Sequence, residues 1–197
     1  MTADVSHPRD RILDAAYAVF EECGVQDGTM SDIAERARVG RATLYRYFSG
    51  KDLVVEAVVL REARRLLAIL TEELGGSDDP GSLLERGLLR ALRYLRAHTL
   101  LQRVLRDEPD SILPFLTVKS APLLEAAVDF ASPYIERAVK AEHMAPVEPR
   151  VAAEWAARVL LSLLLTPSVT IDLDDPKELE SFVAGIGSLL GPQGGPL

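Results

Sequence analysis

The 197 residues suffice for one domain or for a small domain fused to a larger one, and 48% hydrophobic with 26% charged residues is the balance of an ordinary globular protein able to bury a core. The single cysteine, Cys23, excludes an intrachain disulfide, and no apolar N-terminal segment behind a basic start reads as a signal peptide, so a cytoplasmic protein is expected. A net charge of -8 argues against indiscriminate nucleic-acid binding, and the most apolar run, Val159 to Leu165, falls well short of the ~20 residues that span a bilayer.

Ala, Leu, Glu and Arg dominate and no stretch alternates as a strand, so the fold class is all-α, with about nine helices predicted. Residues 1–7 carry no pattern and are expected to be disordered. A first helix starts near Pro8, buries Ile12, Ala16, Val19 and Phe20, and exits at Gly24. Thr29 with Asp32 three residues on makes a capping box for a second helix whose short apolar face is Ile33, Ala34 and Ala37. After Arg38, Val39 and Gly40 a third begins at Arg41; Leu44 and Phe48 point inward, while Arg41, Ala42, Thr43, Tyr45, Arg46 and Tyr47 face outward or sideways.

Ser49 is expected to cap a long fourth helix, with Lys51 in its first turn and a stripe of Val55, Val59, Ala63, Leu66, Leu70 and Leu74 that stops at Gly75-Gly76. A linker, Ser77 to Gly81, leads to a fifth helix that starts at Asp79-Pro80 or Ser82, with Leu84, Leu88, Ala91, Leu95 and His98 on one face. Leu100 to Arg106 form a shorter helix, and Pro109 and Pro114 predict a loop or broken helix over 107–118. The next helix opens at Ser120 and Pro122 and turns Leu124, Ala127, Val128, Ala131, Ile135 and Ala138 inward, with Pro133 expected to kink it. Arg150 to Thr166 is apolar on most sides, so it needs partners on most sides. The last helix opens at Asp175-Pro176 and carries Leu179, Phe182, Val183, Ile186 and Leu190, and 191–197 are a tail.

Two short helices, a tight turn and a polar second helix fit a helix-turn-helix DNA-binding unit. From Met30 to Lys51 five basic side chains (Arg36, Arg38, Arg41, Arg46, Lys51) face two acidic ones (Asp32, Glu35), a local net of +3 in an acidic chain. Arg41 at the start of the third helix can reach guanine O6 and N7, the methyl groups of Ala42 and Thr43 can touch thymine, and Thr43 can equally bond a phosphate. Thr29, Tyr45, Tyr47 and Lys51 are better placed for phosphates.

The stretch TMSDIAERARVGRATLYRYFSGKDL, within a match over roughly Arg9 to Ala57, resembles the DNA-binding region of the TetR family of bacterial transcriptional regulators. The resemblance implies a helix-turn-helix domain over 8–54, joined by the long helix to a helical domain over 55–191 that binds a small ligand and dimerises. It places base reading on Arg41, Ala42 and Thr43 and backbone contacts on Tyr47 and Lys51. Two positions depart from the family pattern: Arg38 stands where the turn usually has Gly, and Gly40 where it has Ser or Thr. Arg38 is therefore expected in a left-handed conformation, and the third helix lacks a side-chain cap.

The implied partners are double-stranded operator DNA, a small-molecule effector and a second copy of the chain, joined through the last two helices. A pocket is expected between the fourth and eighth helices. Its candidate lining is Leu66, Leu88, Tyr94, His98, Leu101 and Leu105, with Phe115, Leu124, Val128, Tyr134 and Trp155 from later segments. These side chains also fit an ordinary core, His98 as a hydrogen-bonded core histidine included. His7, His98 and His143 are far apart, there is no Gly-rich phosphate loop or metal-ligand spacing, and Cys23 is expected to fill the core of the first helix. No catalytic site, metal or cofactor is expected. The reading is a repressor released from its operator by a small apolar or amphipathic effector; the alternative is a helical DNA-binding or interaction module that senses nothing.

Overall fold

The computed structural model describes residues 7–74 and 83–190, the side chains of residue 74 and of 186–190 aside. The expectations for the glycine pair 75–76, the linker 77–81, the start of the fifth helix, the tail, and Leu74, Ile186 and Leu190 as core lie outside the described residues. Among these residues there are ten helices and no strand: α1 (Pro8–Asp27), α2 (Met30–Arg36), α3 (Arg41–Tyr47), α4 (Lys51–Leu74), α5 (Leu83–Ala97), α6 (Thr99–Asp107), α7 (Pro109–Leu116), α8 (Ala121–Lys140), α9 (Pro149–Leu165) and α10 (Pro176–Leu190). The extra helix is α7, where a loop or broken helix was expected. Pro109 occupies its first turn, where the missing N–H has no intrahelical partner to lose.

By packing, the chain forms two units: residues up to Ala63 with His98–Ser120, and Arg64–Ala97 with Ala121 onward. In the first, α1 packs on α2 and α6, α2 on α3, and α6 on α7. The expected inward residues Ile12, Ala16, Val19, Phe20, Ile33, Ala34, Ala37, Leu44 and Phe48 are all buried. α1 does not stop at Gly24: that residue takes φ 89, breaks the helical geometry, and one further turn runs to Asp27. Cys23, expected in the core, is exposed because it precedes the break on the solvent side, with Sγ 3.2 Å from the Val19 carbonyl.

α4 begins at Lys51, so Gly50 rather than Ser49 precedes it. Of the expected stripe, Val55, Leu66 and Leu70 are buried and Val59 and Ala63 only half-buried, while Val54 and Val58, not in the stripe, are buried as well. The i, i+4 ridge from Val54 to Leu70 passes through Glu62, a charged residue on an otherwise apolar row. Glu62 has only 16% of its side chain exposed, receives Arg61 Nε at 3.3 Å and lies 3.8 Å from His98 Nε2. His98 is not on the α5 stripe: α5 ends at Ala97, and His98 Nδ1 caps α6 by accepting from Leu101 N–H at 3.2 Å.

In the second unit α8 packs on α9, and α5 on α8, α9 and α10. Three apolar clusters hold it: Val128, Ile135, Ala138 and Met144 with Ala152 and Ala153; Leu66, Leu70, Leu83 and Ala91; and Leu88, Leu92 and Leu173 with Leu179 and Val183. α8 runs through Pro133, whose side chain is exposed. α9 buries Ala152, Ala153 and Ala157 but leaves Val151 and Trp155 42% and 49% exposed. No single helix among the described residues is long and apolar enough to cross a membrane.

Candidate nucleic-acid interface

The capping box forms as expected. Asp32 N–H donates to Thr29 Oγ1 (3.2 Å), and Asp32 Oδ2 accepts from the Thr29 N–H (3.0 Å) and hydroxyl (2.6 Å). Hydrogen bonds from the Thr29 side chain, then from its backbone, hold the Asp32 carboxyl below its ordinary value. α2 closes with Ala37 N–H on the Ile33 carbonyl (2.9 Å) and Val39 N–H on the Ala34 carbonyl (3.0 Å), a geometry that requires a left-handed residue between them. Arg38 supplies it at φ 53. Gly40 then caps α3 without a side-chain hydrogen bond, and a Cβ built on it would meet nothing within 4 Å.

The seven residues of α3 are held from below by Leu44, fully buried, and by Phe48 at its C-cap. That leaves Arg41, Ala42, Tyr45 and Arg46 exposed and Thr43 and Tyr47 half-buried. Arg36 pairs with Glu22 at 2.5 Å, whereas Arg41 meets no carboxylate among the described residues. The Arg46 guanidinium lies 5.7 Å from the Tyr47 ring centroid, and the His7 ring meets Tyr47 edge-on at 5.9 Å. His7 is a contact that the sequence reading missed, as no local pattern joins residues forty apart. Lys51 Nζ donates to the Gln26 carbonyl at 2.6 Å, tying the start of α4 to the end of α1 and leaving two ammonium hydrogens.

The same end of α1 receives α6 and its C-cap. Gln26 N–H donates to Glu108 Oε2 at 2.6 Å, and Arg103 donates to the Glu21 carbonyl at 2.6 Å and to that of Phe20. Only a glycine admits this approach, since a Cβ on Gly24 would stand 2.0 Å from Glu108 Oε1.

The candidate lining residues divide between the units. A cavity of about 90 Å³ in the second unit is walled by α4, α5, α8 and α9, and Leu88 and Tyr134 line it. Leu66 and Val128 lie in the buried clusters beside it, with Tyr94 packed on the Leu66 cluster. Leu124 is half-buried early in α8, and Trp155 is on the exposed face of α9. His98, Leu101, Leu105 and Phe115 belong to the first unit. Lining residues absent from the sequence reading include Phe130, Met144 and the alanines of α8 and α9, which mark a void only once their helices are docked.

An all-α chain with a capped helix, a left-handed turn and an exposed second helix is a helix-turn-helix DNA-binding protein. Residues 12–58 match the profile described as "Bacterial regulatory proteins, tetR family", and residues 79–184 that described as "Bacterial Tetracyclin repressor, C-terminal domain". An uncharacterized HTH-type transcriptional regulator of Mycobacterium tuberculosis is 31% identical over 182 residues, covering 90% of this chain and 84% of that protein. Among solved structures, the TetR family repressor AlkX from Dietzia aligns with TM-score 0.72 and 22% identity over 93% of this chain and 95% of its own. RolR in complex with resorcinol aligns with TM-score 0.73 and 18% identity over 94% and 88%. The chain belongs to the TetR family: it is a transcriptional regulator with a helix-turn-helix DNA-binding domain, not an enzyme.

Proposed function

We propose that the protein is a cytoplasmic, dimeric repressor that leaves its operator when a small apolar or amphipathic effector occupies the second unit. The observation that carries the DNA-reading part is α3, pinned by Leu44 and Phe48, with Arg41 at its exposed N-terminal end meeting no carboxylate among the described residues. Arg41, Ala42 and Thr43 read base edges in the major groove, and Thr29, Tyr45, Arg46, Tyr47 and Lys51 hold phosphates. The fit of Lys51 to this role is that one donor fixes α4 to α1 while two remain for a phosphate. The last two helices, α9 and α10, form the interface with the second copy, for which the exposed Val151 and Trp155 of α9 speak. The effector reading is supported by the apolar cavity and, among fold neighbours, by RolR, solved with resorcinol.

Titration of the promoter DNA beside its own gene tests the reading by fluorescence anisotropy. Affinity should fall steeply with salt. Arg41→Ala should relax sequence preference, removing about 1–3 kcal/mol of discrimination at one base pair. Lys51→Ala should weaken every sequence alike and reduce the salt slope by about one. A complex without salt dependence, or one whose specificity ignores Arg41, would overturn it.

A further inference from the structure

Among the described residues, every side chain lining the cavity of the second unit lacks nitrogen and oxygen except that of Tyr134. The void exists because α8 and α9 face each other with small residues, Ala127, Ala131 and Ala138 against Ala153, Ala156 and Ala157. Apart from Met144 and from Leu83 and Leu84 in the first turn of α5, the lining residues lie within helices, where backbone donors and acceptors already bond one another. Among the described residues no cation is in the wall. Arg137 is exposed, with its guanidinium 4.8 Å from the Tyr134 ring centroid.

An ionised group entering this space would lose its hydration and find neither a counter-charge nor more than one side-chain hydrogen bond. An uncharged molecule loses little and gains contact with aliphatic walls. Size adds a second limit: about 90 Å³ is below the roughly 150 Å³ apolar cavity that takes benzene, so a single ring enters only if the lining yields. Met144, unbranched and adaptable, is the lining residue suited to yield.

We propose that this cavity selects an uncharged apolar molecule of about one ring, with at most one polar group set against the Tyr134 hydroxyl, and rejects the carboxylate of the same shape. The inference rests on the effector reading above and narrows it from apolar or amphipathic to uncharged.

Titration of the full chain with 4-fluorobenzyl alcohol and with 4-fluorobenzoate, followed by fluorine NMR at neutral pH, compares two probes of one shape and different charge. The alcohol should bind at least about 30-fold more tightly than the carboxylate. Ala156→Leu and, separately, Ala127→Leu should abolish its binding by filling the void; both alanines are only half-buried, and a melting curve identifies whichever variant folds. Benzoate binding as tightly as the alcohol, and lost in the filled variants or in Arg137→Ala, would overturn the charge selection while the effector site stands. Absence of binding by both probes at millimolar concentration, or alcohol binding that both filled variants retain, would overturn the site as well.

Discussion

Arg38 holds φ 53 between α2 and α3, where an L residue with a bulky side chain is strained by about 1–2 kcal/mol. Arg38→Gly should therefore raise stability by about 0.5–1 kcal/mol after the extra chain entropy of glycine is counted. In urea unfolding the midpoint should rise at unchanged slope; an unmoved or lower midpoint would show that the strain is relieved elsewhere. Arg38 is exposed beside the DNA-facing helix, so the same substitution should cost operator affinity, chiefly at low salt. Asp32, six residues earlier, titrates in the same motif. Its folded-state value lies below the ordinary 3.8 through the Thr29 hydrogen bonds, so its contribution is complete above that pH and is lost as pH falls through the lowered value. Melting curves of wild type and Asp32→Asn should differ at about pH 5 and converge toward about pH 2. A difference constant over that range would mean that the carboxylate charge plays no part in the cap.

At the scale of elements, the end of α1 joins the α2–α3 motif to α4 and α6. The break at Gly24 lets Gln26 offer its N–H to Glu108 and its carbonyl to Lys51, while Arg103 takes the carbonyls of Phe20 and Glu21. Gly24→Ala would expel the Glu108 carboxylate, orphan the Gln26 N–H and leave a strained φ, a loss of about 1–3 kcal/mol. Glu108→Ala should cost less in that background than in wild type; additive losses in a double-mutant cycle would mean that the two residues are not coupled. This junction also marks what the sequence could and could not reveal. The capping box was legible because its residues stand three positions apart, and the left-handed Arg38 and the uncapped α3 were legible as departures from the pattern of the family the stretch resembles. The clamp was not, because Gln26 and Glu108 stand 82 positions apart. On α4 the stripe held at Val55, Leu66 and Leu70 but left out Val54 and Val58, on whose row a half-buried Glu62, held by Arg61 beside it and facing the α6 cap His98, occupies a place that periodicity reserves for an apolar residue. Of the cavity, Leu88 and Tyr134 were named from the sequence and the alanines were not, because alanines at helical spacing read as packing and only docked helices show the space they leave.

For the whole molecule, the acidic net charge of -8 and the basic +3 window pull opposite ways, so binding to DNA has to come from geometry as well as charge. One α3 reaches only a few base pairs. In the proposed dimer, two copies related by a two-fold axis would engage successive major-groove half-sites, so affinity would depend on assembly. The single tryptophan of the chain reports that assembly directly. Trp155 is 49% exposed in the protomer and sits one turn from the exposed Val151 on α9, so an interface over that face removes it from water. Tryptophan emission should therefore shift to the red as the protein is diluted, over the range in which sedimentation shows the mass falling from twice 21.5 kDa to the single-chain value. Trp155→Glu should place a charge in the interface, hold the protein as a monomer and weaken operator binding at fixed concentration without altering base preference. Half-site preference is the discriminating readout, since the proposal assigns it to Arg41–Thr43 and it should survive loss of the dimer. A dimer whose emission stays red at every concentration would place the interface on another face, and unchanged operator affinity in a monomeric Trp155→Glu would remove assembly from the mechanism.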